Sequence, residues 1–399
     1  MYAKRWWVAK LENMSGSNDT LRCFESRRRC VIDPQTTFCP NLDCPARGQV
    51  GEGNIGIHSR QRHRYWCKVC RTSFSARAGT IFYRRRTDEE TITRVVTLVS
   101  HGCPVPAIEA AYGVQAHTVR DWVEASGRQA AAVHQAEVVQ PRDLQQVQAD
   151  EIHVKTQAGV LWMALALMVS TRLWLGGAVS PHRDRALITR LVAIVAACAR
   201  RGALLFVTDG LTTYIDVVRK AFRTRQPGTG GRPRLVPWPD LAIAQVVKQY
   251  AGRAVTGAIH RLVQGSVRTF LTLLWSTPGC RVLNTAYIER LNGTFRSRLA
   301  VLGRRTRRSA RCVATVVHGM YLVGTVYNFC TVHASLMTDD RRQQTPAMAA
   351  GITDHVWTVS ELLHYRVPPP RWEPPRRRGR RPRALQILID RWCPHHRLA

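Results

Sequence analysis

Three apolar runs stand almost end to end in the middle of the chain: Gln146 to Val154, Leu161 to Val169, and Leu173 to Val179. The turns between them are short, so the runs read as an antiparallel meander. Arg185 to Arg201 then reads as a helix, Ala203 to Thr208 as a short buried strand, and Thr212 to Phe222 as a second helix. A loop rich in glycine, proline and arginine covers Arg223 to Pro239. Further on, Asn284 to Leu302 is helical, capped by Asn284 or Thr285, and another long helix spans about Ala310 to Phe329. Residues 145–345 therefore form one α/β unit.

Charge narrows what such a unit acts on. The 399 residues carry 59 Lys+Arg against 27 Asp+Glu, a formal net charge of +32. Apolar residues make up 45%, enough for a large core and too many for a disordered chain. An enzyme of acidic surface for small molecules is disfavoured, and a polyanion, most commonly nucleic acid, is the expected partner. Leu161 to Val169 is too short to span a bilayer and Arg190 interrupts Ala186 to Ala199, so no membrane is expected. No signal peptide opens at Met1 to Lys10, which points to a soluble, reducing compartment. The 12 cysteines there are metal ligands or buried thiols sooner than disulfides.

Residues 1–35 form a basic segment without a fold signal, and its Cys23 and Cys30 read as spare thiols. Residues 36–76 hold two close pairs, Cys39 with Cys44 and Cys67 with Cys70. Each pair sits on a tight turn, so four thiolates can converge on Zn²⁺ as a zinc ribbon. A domain of roughly 40 residues has little core of its own, and a structural metal supplies the missing stability. Tyr65, Trp66 and Phe74 offer the apolar wall.

Residues 87–128 read as a helix-turn-helix DNA-binding domain. Thr87 and Glu90 suggest a capping box, a second helix ends near Tyr112, Gly113 makes the turn, and a third helix runs from His117 to Ala125. Gln115, His117, Thr118 and Arg120 lie on or near the recognition helix. Any three-helix core would show a similar pattern. Residues 346–367 form a C-terminal helical extension with a Thr358/Glu361 capping box. Residues 368–399 form an Arg/Pro-rich tail, expected to be disordered and to attract phosphate without specificity. Cys393 with the two histidines after Pro394 reads as non-ligating.

In a chain this basic, isolated carboxylates at strand ends carry information. Asp150 lies in the run from Val147 to Val154, where alternation places it on the face opposite Glu151. Asp209 ends the run from Ala203 and is followed by Gly210, at the position where α/β folds put ligands. Glu289 sits on an otherwise basic helix, and Arg296 follows seven residues later, about two turns or ~10.5 Å along the same face. Asn292 lies between them, so Asn292 and Arg296 are candidate DNA contacts. Three carboxylates brought together need a cation, and Mg²⁺ (or Mn²⁺) is the default for oxygen ligands. Taken singly, Asp150 also fits an edge-strand charge, Asp209 a helix cap, and Glu289 an ion pair with Arg290 or Arg296.

The order of elements is that of a ribonuclease-H-like fold: a mixed sheet with helices on both faces, preceded here by the zinc ribbon and helix-turn-helix. The blocks Asp150-Glu151, Thr208-Asp209-Gly210 with Tyr214, Tyr287-Ile-Glu289-Arg-Leu-Asn292 to Arg296, and Leu302 to Thr306 resemble the catalytic blocks of bacterial insertion-sequence DDE transposases. Tyr327-Asn-Phe329 with His333, then Thr345-Pro346, resembles the block that follows the last acid. The similarity is closest to the group whose founding element splits its reader and its core between two reading frames. It covers about residues 36–360, and the stretch from Arg223 to Cys280 departs from it.

The resemblance implies a metal triad of Asp150, Asp209 and Glu289, with Arg296 as the accompanying basic residue. It implies an enzyme that binds double-stranded DNA at terminal inverted repeats, cuts the 3′ ends, joins them to target DNA, and works as a homo-oligomer. Two other functions fit the same residues: a catalytically inactive DNA-binding regulator or repressor, and a nuclease on the same fold.

Overall fold

The computed structural model describes residues 33–393 except 158, 227–233, 253, 278–281, 303–309, 311, 338–339 and 376–378. The segment with Cys23 and Cys30, the Leu302 to Thr306 block beyond Leu302, and the histidines after Cys393 lie outside the described residues. The chain divides into two compact units. One is residues 1–78 with 368–399, and the other is residues 79–367.

The smaller unit is built on three antiparallel strands, β1 (Ile55–Ser59), β2 (Arg64–Cys67) and β3 (Ser73–Ser75). Tyr65 and Phe74 face each other across β2 and β3 with ring centroids 5.8 Å apart, as an apolar wall beneath the cysteines. The tail expected to be disordered contributes here instead. Arg383–Trp392 is a helix, and its Trp392 is buried with Cys39, Cys44 and Cys67. Leu385, Leu388, Ile389 and Trp392 recur at helical spacing, a pattern that the preceding Pro/Arg tract obscures. Arg47 Nε donates to the Pro370 carbonyl at 2.8 Å, and Cys393 Sγ to that of Trp372, also at 2.8 Å.

The larger unit opens with three helices: α1 (Glu89–Ser100), α2 (Val105–Tyr112) and α3 (Ala116–Val133). The cap of α1 is Asp88 rather than Thr87, its carboxylate accepting the Thr91 N–H at 2.7 Å. Gly113 ends α2 in the left-handed region at φ 64, as a turn residue there requires.

The meander follows as β4 (Gln145–Thr156), β5 (Gly159–Met168) and β6 (Trp174–Ser180), then α4 (Arg185–Cys198), β7 (Leu204–Thr208) and α5 (Thr213–Ala221). The stretch without a sequence pattern supplies a small hairpin, β8 (Arg223–Gln226) and β9 (Arg234–Pro237). It also supplies two long strands, β10 (Leu241–Ala251) and β11 (Ala254–Gln264), and α6 (Val267–Ser276). Then come α7 (Ala286–Arg298), α8 (Val313–Cys330), β12 (His333–Met337), β13 (Gln343–Gln344), α9 (Pro346–Ala349) and α10 (Val359–His364).

The main sheet has six strands in the order β11-β10-β7-β4-β5-β6. β4, β5 and β6 pair antiparallel, β7 lies parallel to β4, β10 parallel to β7, and β11 antiparallel to β10. Alternation along β4 sends Val147 and Ala149 into one buried cluster, and Ile152 and Val154 into another that includes Ile288, Leu291 and Phe295 of α7. The fold is thus a mixed sheet flanked by helices.

α8 is long and apolar enough to cross a membrane by length and composition, but 61% of it is buried inside this unit. Val316, Met320, Val323 and Tyr327 join one cluster, and Leu322, Val326 and Phe329 the other. Asn328 seals it to the edge strand, its amide accepting from the Trp174 N–H and donating to the Trp174 carbonyl, both at 2.9 Å.

α3 runs on well past Ala125 and packs along α8. The helices of residues 87–128 therefore share a core with the sheet: Ile92, Val96, Val119 and Trp122 fall in the same cluster as Val147 and Leu191. Close approach of the two helices depends on Gly127, where an added Cβ would lie 2.5 Å from the His318 carbonyl oxygen. Gly127→Val should cost about 1–3 kcal/mol of stability by overpacking this contact. Urea denaturation is the check, with a lowered midpoint at unchanged slope expected.

Candidate active site

The sheet's register brings two acids together. Gln148 of β4 stands opposite Val207 of β7 in parallel pairing, and Asp150 and Asp209 lie two residues further along each chain. Neighbouring strands are about 4.8 Å apart, so carboxylates at matched positions on adjacent strands share one space. One carboxylate oxygen from each of Asp150, Glu151 and Asp209 lies within 4.8 Å of the other two. Asp209 Oδ1 accepts the Leu211 N–H at 3.0 Å, fixing the turn that leads past Gly210 into α5.

Glu151 enters this group although it alternates to the other face of β4. Its carboxylate is fully buried and accepts from the Tyr214 hydroxyl, and from Arg183 Nε at 2.8 Å. The same guanidinium reaches Asp209 Oδ2 at 3.1 Å. One arginine thus ties a buried acid to a half-exposed one. Tyr214, fully buried, is held well above the usual phenol range by burial and by the Glu151 charge. Arg183 comes from the connection between β6 and α4, where no periodicity marks it.

Glu289 stands in the first turn of α7 and lies outside the 4.8 Å group. Its Oε1 accepts from Lys248 Nζ of β10 at 2.6 Å and from Thr285 Oγ1 at 2.7 Å. Burial pushes its pKa up, but the hydrogen bonds from Lys248 and Thr285 outweigh this and hold it below the usual glutamate value. Helix α7 is nonetheless anchored to β4 beside Asp150. Gln148 accepts the Ile288 N–H at 3.0 Å and donates to the Asn284 carbonyl at 2.7 Å. Asn284 Oδ1 accepts the Ala286 N–H at 3.0 Å at the start of the helix.

Asn292 corrects an expectation. Read as a DNA contact, it is 2% exposed, because its position one turn after Glu289 faces the sheet. Its Nδ2 donates to Asp150 Oδ2 at 2.8 Å. Arg296, two turns beyond Glu289 on α7, is half-buried. At the start of α3, Gln115, His117 and Arg120 are exposed and Thr118 is half-buried.

Asp150 is the electrostatic centre of the site. Burial, then the Glu151 charge, and after it the charges of Asp209 and Glu289, push its pKa up to about 7. The backbone N–H of Glu151, donating at 2.8 Å, offsets only part of this. Such a set of oxygen donors is compatible with a hard divalent cation such as Mg²⁺. Asn292 Oδ1, buried and without a hydrogen bond among the described residues, gives a hydrated cation a further acceptor.

In the smaller unit, the sulfurs of Cys39, Cys44, Cys67 and Cys70 lie within 4.8 Å of one another. Cys39 Sγ is 3.7 Å from Cys70 Sγ, and Cys44 Sγ 3.7 Å from Cys67 Sγ. A tetrahedron with metal–sulfur bonds of about 2.3 Å has edges of about 3.8 Å, so the spacing suits Zn²⁺. Burial pushes the Cys44 thiol up to about 12. Burial acts on Cys70 in the same sense, but hydrogen bonds from Thr72 and Asn41 prevail and bring it down to about 6.

No family model and no curated protein matches the chain. Among solved structures it is similar to a piggyBac transposase in a synaptic complex with hairpin DNA. The TM-score is 0.35 and the identity 10%, over 79% of this chain and 78% of that one.

Proposed function

We propose that this chain is a DNA transposase of an insertion sequence, with a ribonuclease-H-like core that cuts and joins DNA 3′ ends. The carrying observation is the register of β4 and β7, which brings Asp150 of β4 beside Asp209, one residue past the end of β7. The sheet order and strand directions agree with that core, and the acidic blocks agree with the sequence resemblance.

Asp150, Asp209 and Glu289 are the proposed Mg²⁺ or Mn²⁺ ligands. When bound, the metal supplies Lewis-acid polarisation of the phosphate and a more nucleophilic attacking oxygen. The protein's own residues prepare the place. Both Glu151 oxygens accept hydrogen bonds, so Glu151 acts by fixing Arg183 and Tyr214. Arg183 and Lys248 balance the charge of Asp209 and Glu289. Asn292 orients Asp150, and Gln148 holds the start of α7 against β4. Arg296, half-buried on the same helix, is the proposed phosphate grip. Asp209→Ala should abolish divalent-metal-dependent cleavage of DNA from the flanks of this reading frame while leaving DNA binding intact. Equal inertness of wild type and variant on those ends would favour the regulator.

The four-cysteine unit is the proposed zinc ribbon, and the first turn of α3, with Gln115, His117, Thr118 and Arg120, the proposed reader of inverted-repeat ends. Double-stranded DNA, both ends and target, is the partner. A homo-oligomer, acting in the bacterial cytoplasm at the nucleoid, would pair the ends. Affinity from a chain of net charge +32 should fall steeply with salt.

A further inference from the structure

α7 separates two sites of opposite charge. Glu289 belongs to the acidic cleft, and Arg290, the next residue, points about 100° further round the helix. There it lines a second cleft of about 760 Å³, together with Arg172, Asn284 and Tyr287, and with Ser335 and Met337 of β12. Arg172 is 9% exposed, and its guanidinium lies 3.8 Å from the centre of the Tyr287 ring. The hydroxyl of Tyr327 donates to the Arg172 carbonyl at 3.1 Å, fixing the backbone from which that charge projects.

At the start of β12, His333 packs edge-on against Tyr327 at 4.7 Å between centroids. Its Nε2 is buried and makes no hydrogen bond among the described residues. Burial pushes His333 down to about 4, and the charges of Arg172, Arg298 and Arg290 act in the same direction. Those three guanidiniums also act on Tyr327, and no carboxylate among the described residues acts on either ring. The lining thus carries two guanidiniums, Arg172 and Arg290, among neutral residues. The first turn of α7 also borders it, where the helix dipole favours an anion.

We propose that this cleft binds a backbone phosphate of the DNA strand next to the bond being cut, with Arg290 and Arg172 as its cationic wall. The inference rests on the transposase reading, and Glu289 of the acidic site and Arg290 of this cleft are consecutive on α7. Three features favour a nucleic-acid strand over a free anion: the volume exceeds that of one phosphate, the lining mixes guanidinium with Tyr287 and Met337, and the acidic cleft is one residue away along α7.

The test measures affinity of the full chain for a fluorescein-labelled duplex of about 30 base pairs across a salt series. Each phosphate contact contributes about 0.9 to the slope of log affinity against log salt. Arg290→Ala should lower that slope by about 0.9, and Arg290→Lys should restore most of it. Ser335→Trp, which adds bulk to the lining beside Arg290 without changing charge, should lower it similarly. Both exposed-site variants should melt with the wild type. A wild-type slope unchanged by Arg290→Ala overturns the proposal. So does a slope lowered by Arg290→Ala but not by Ser335→Trp, which would make Arg290 a general surface charge. Absence of DNA binding by wild type would overturn the transposase reading itself, and this one with it.

Discussion

Asp150→Asn should reduce metal-dependent DNA cleavage by about 10³ or more, a loss of at least ~4 kcal/mol of transition-state stabilisation. The substitution keeps the shape of the side chain and an oxygen for Asn292, but removes the charge at the centre of the acidic group. Single-turnover cleavage at saturating protein measures this, and a loss under about tenfold would contradict the assignment. The pH profile adds a sign. Asp150 titrates near 7, raised by burial and by the neighbouring acids, so protons compete with the metal below that pH. Metal affinity should fall about tenfold per unit as pH drops below about 7, and level off above it. Stability of the metal-free protein should run the other way. Between the unfolded value of about 3.9 and a folded value of about 7 the native state holds the extra proton, so stability falls as pH rises through that window. In Asp150→Asn this part of the slope should vanish from the melting temperature against pH.

Stripping the four-cysteine site should unfold the smaller unit and leave the larger one folded. Structural Zn²⁺ contributes about 10–16 kcal/mol to small domains at pH 7, more than a three-stranded sheet of this size can replace. The C-terminal helix should be lost with it, because Trp392 packs on the cysteines and Arg47 holds the Pro370 carbonyl. Cys44→Ser, or chelation, should therefore expose residues 33–78 and 368–393 together to limited proteolysis, with residues 79–367 still resistant. Zinc content measured on the intact chain should fall from one ion to none. Cleavage confined to residues 33–78 would show that the tail does not depend on the metal.

Much of this is legible in sequence because it rests on local rules. The meander and the strand before Asp209 are apolar runs bounded by turn residues, and each appears within a few residues of its expected place. The four cysteines are marked by spacing alone. What escapes depends on contacts across the fold. Alternation assigns Glu151 to the far face, yet from the middle of β4 its carboxylate still meets Arg183 and Tyr214. Lys248 lies on β10, in the stretch without a pattern, and only pairing to β7 carries it toward Glu289. Gln148 reads as one glutamine among several, and its bonds to Asn284 and to Ile288 of α7 span 136 and 140 residues. Asn292 reads as exposed because a helix in isolation does not reveal which face meets the sheet.

The most direct measurement of the acidic site is a Mn²⁺ titration followed by electron paramagnetic resonance at about pH 8, on wild type and on Asp150→Asn and Asp209→Asn. The account predicts saturable Mn²⁺ binding by wild type, weakened at least about tenfold by either substitution, with both variants folded in the absence of DNA. Identical isotherms for all three proteins would show that Asp150 and Asp209 hold no ion in common, and would contradict the account.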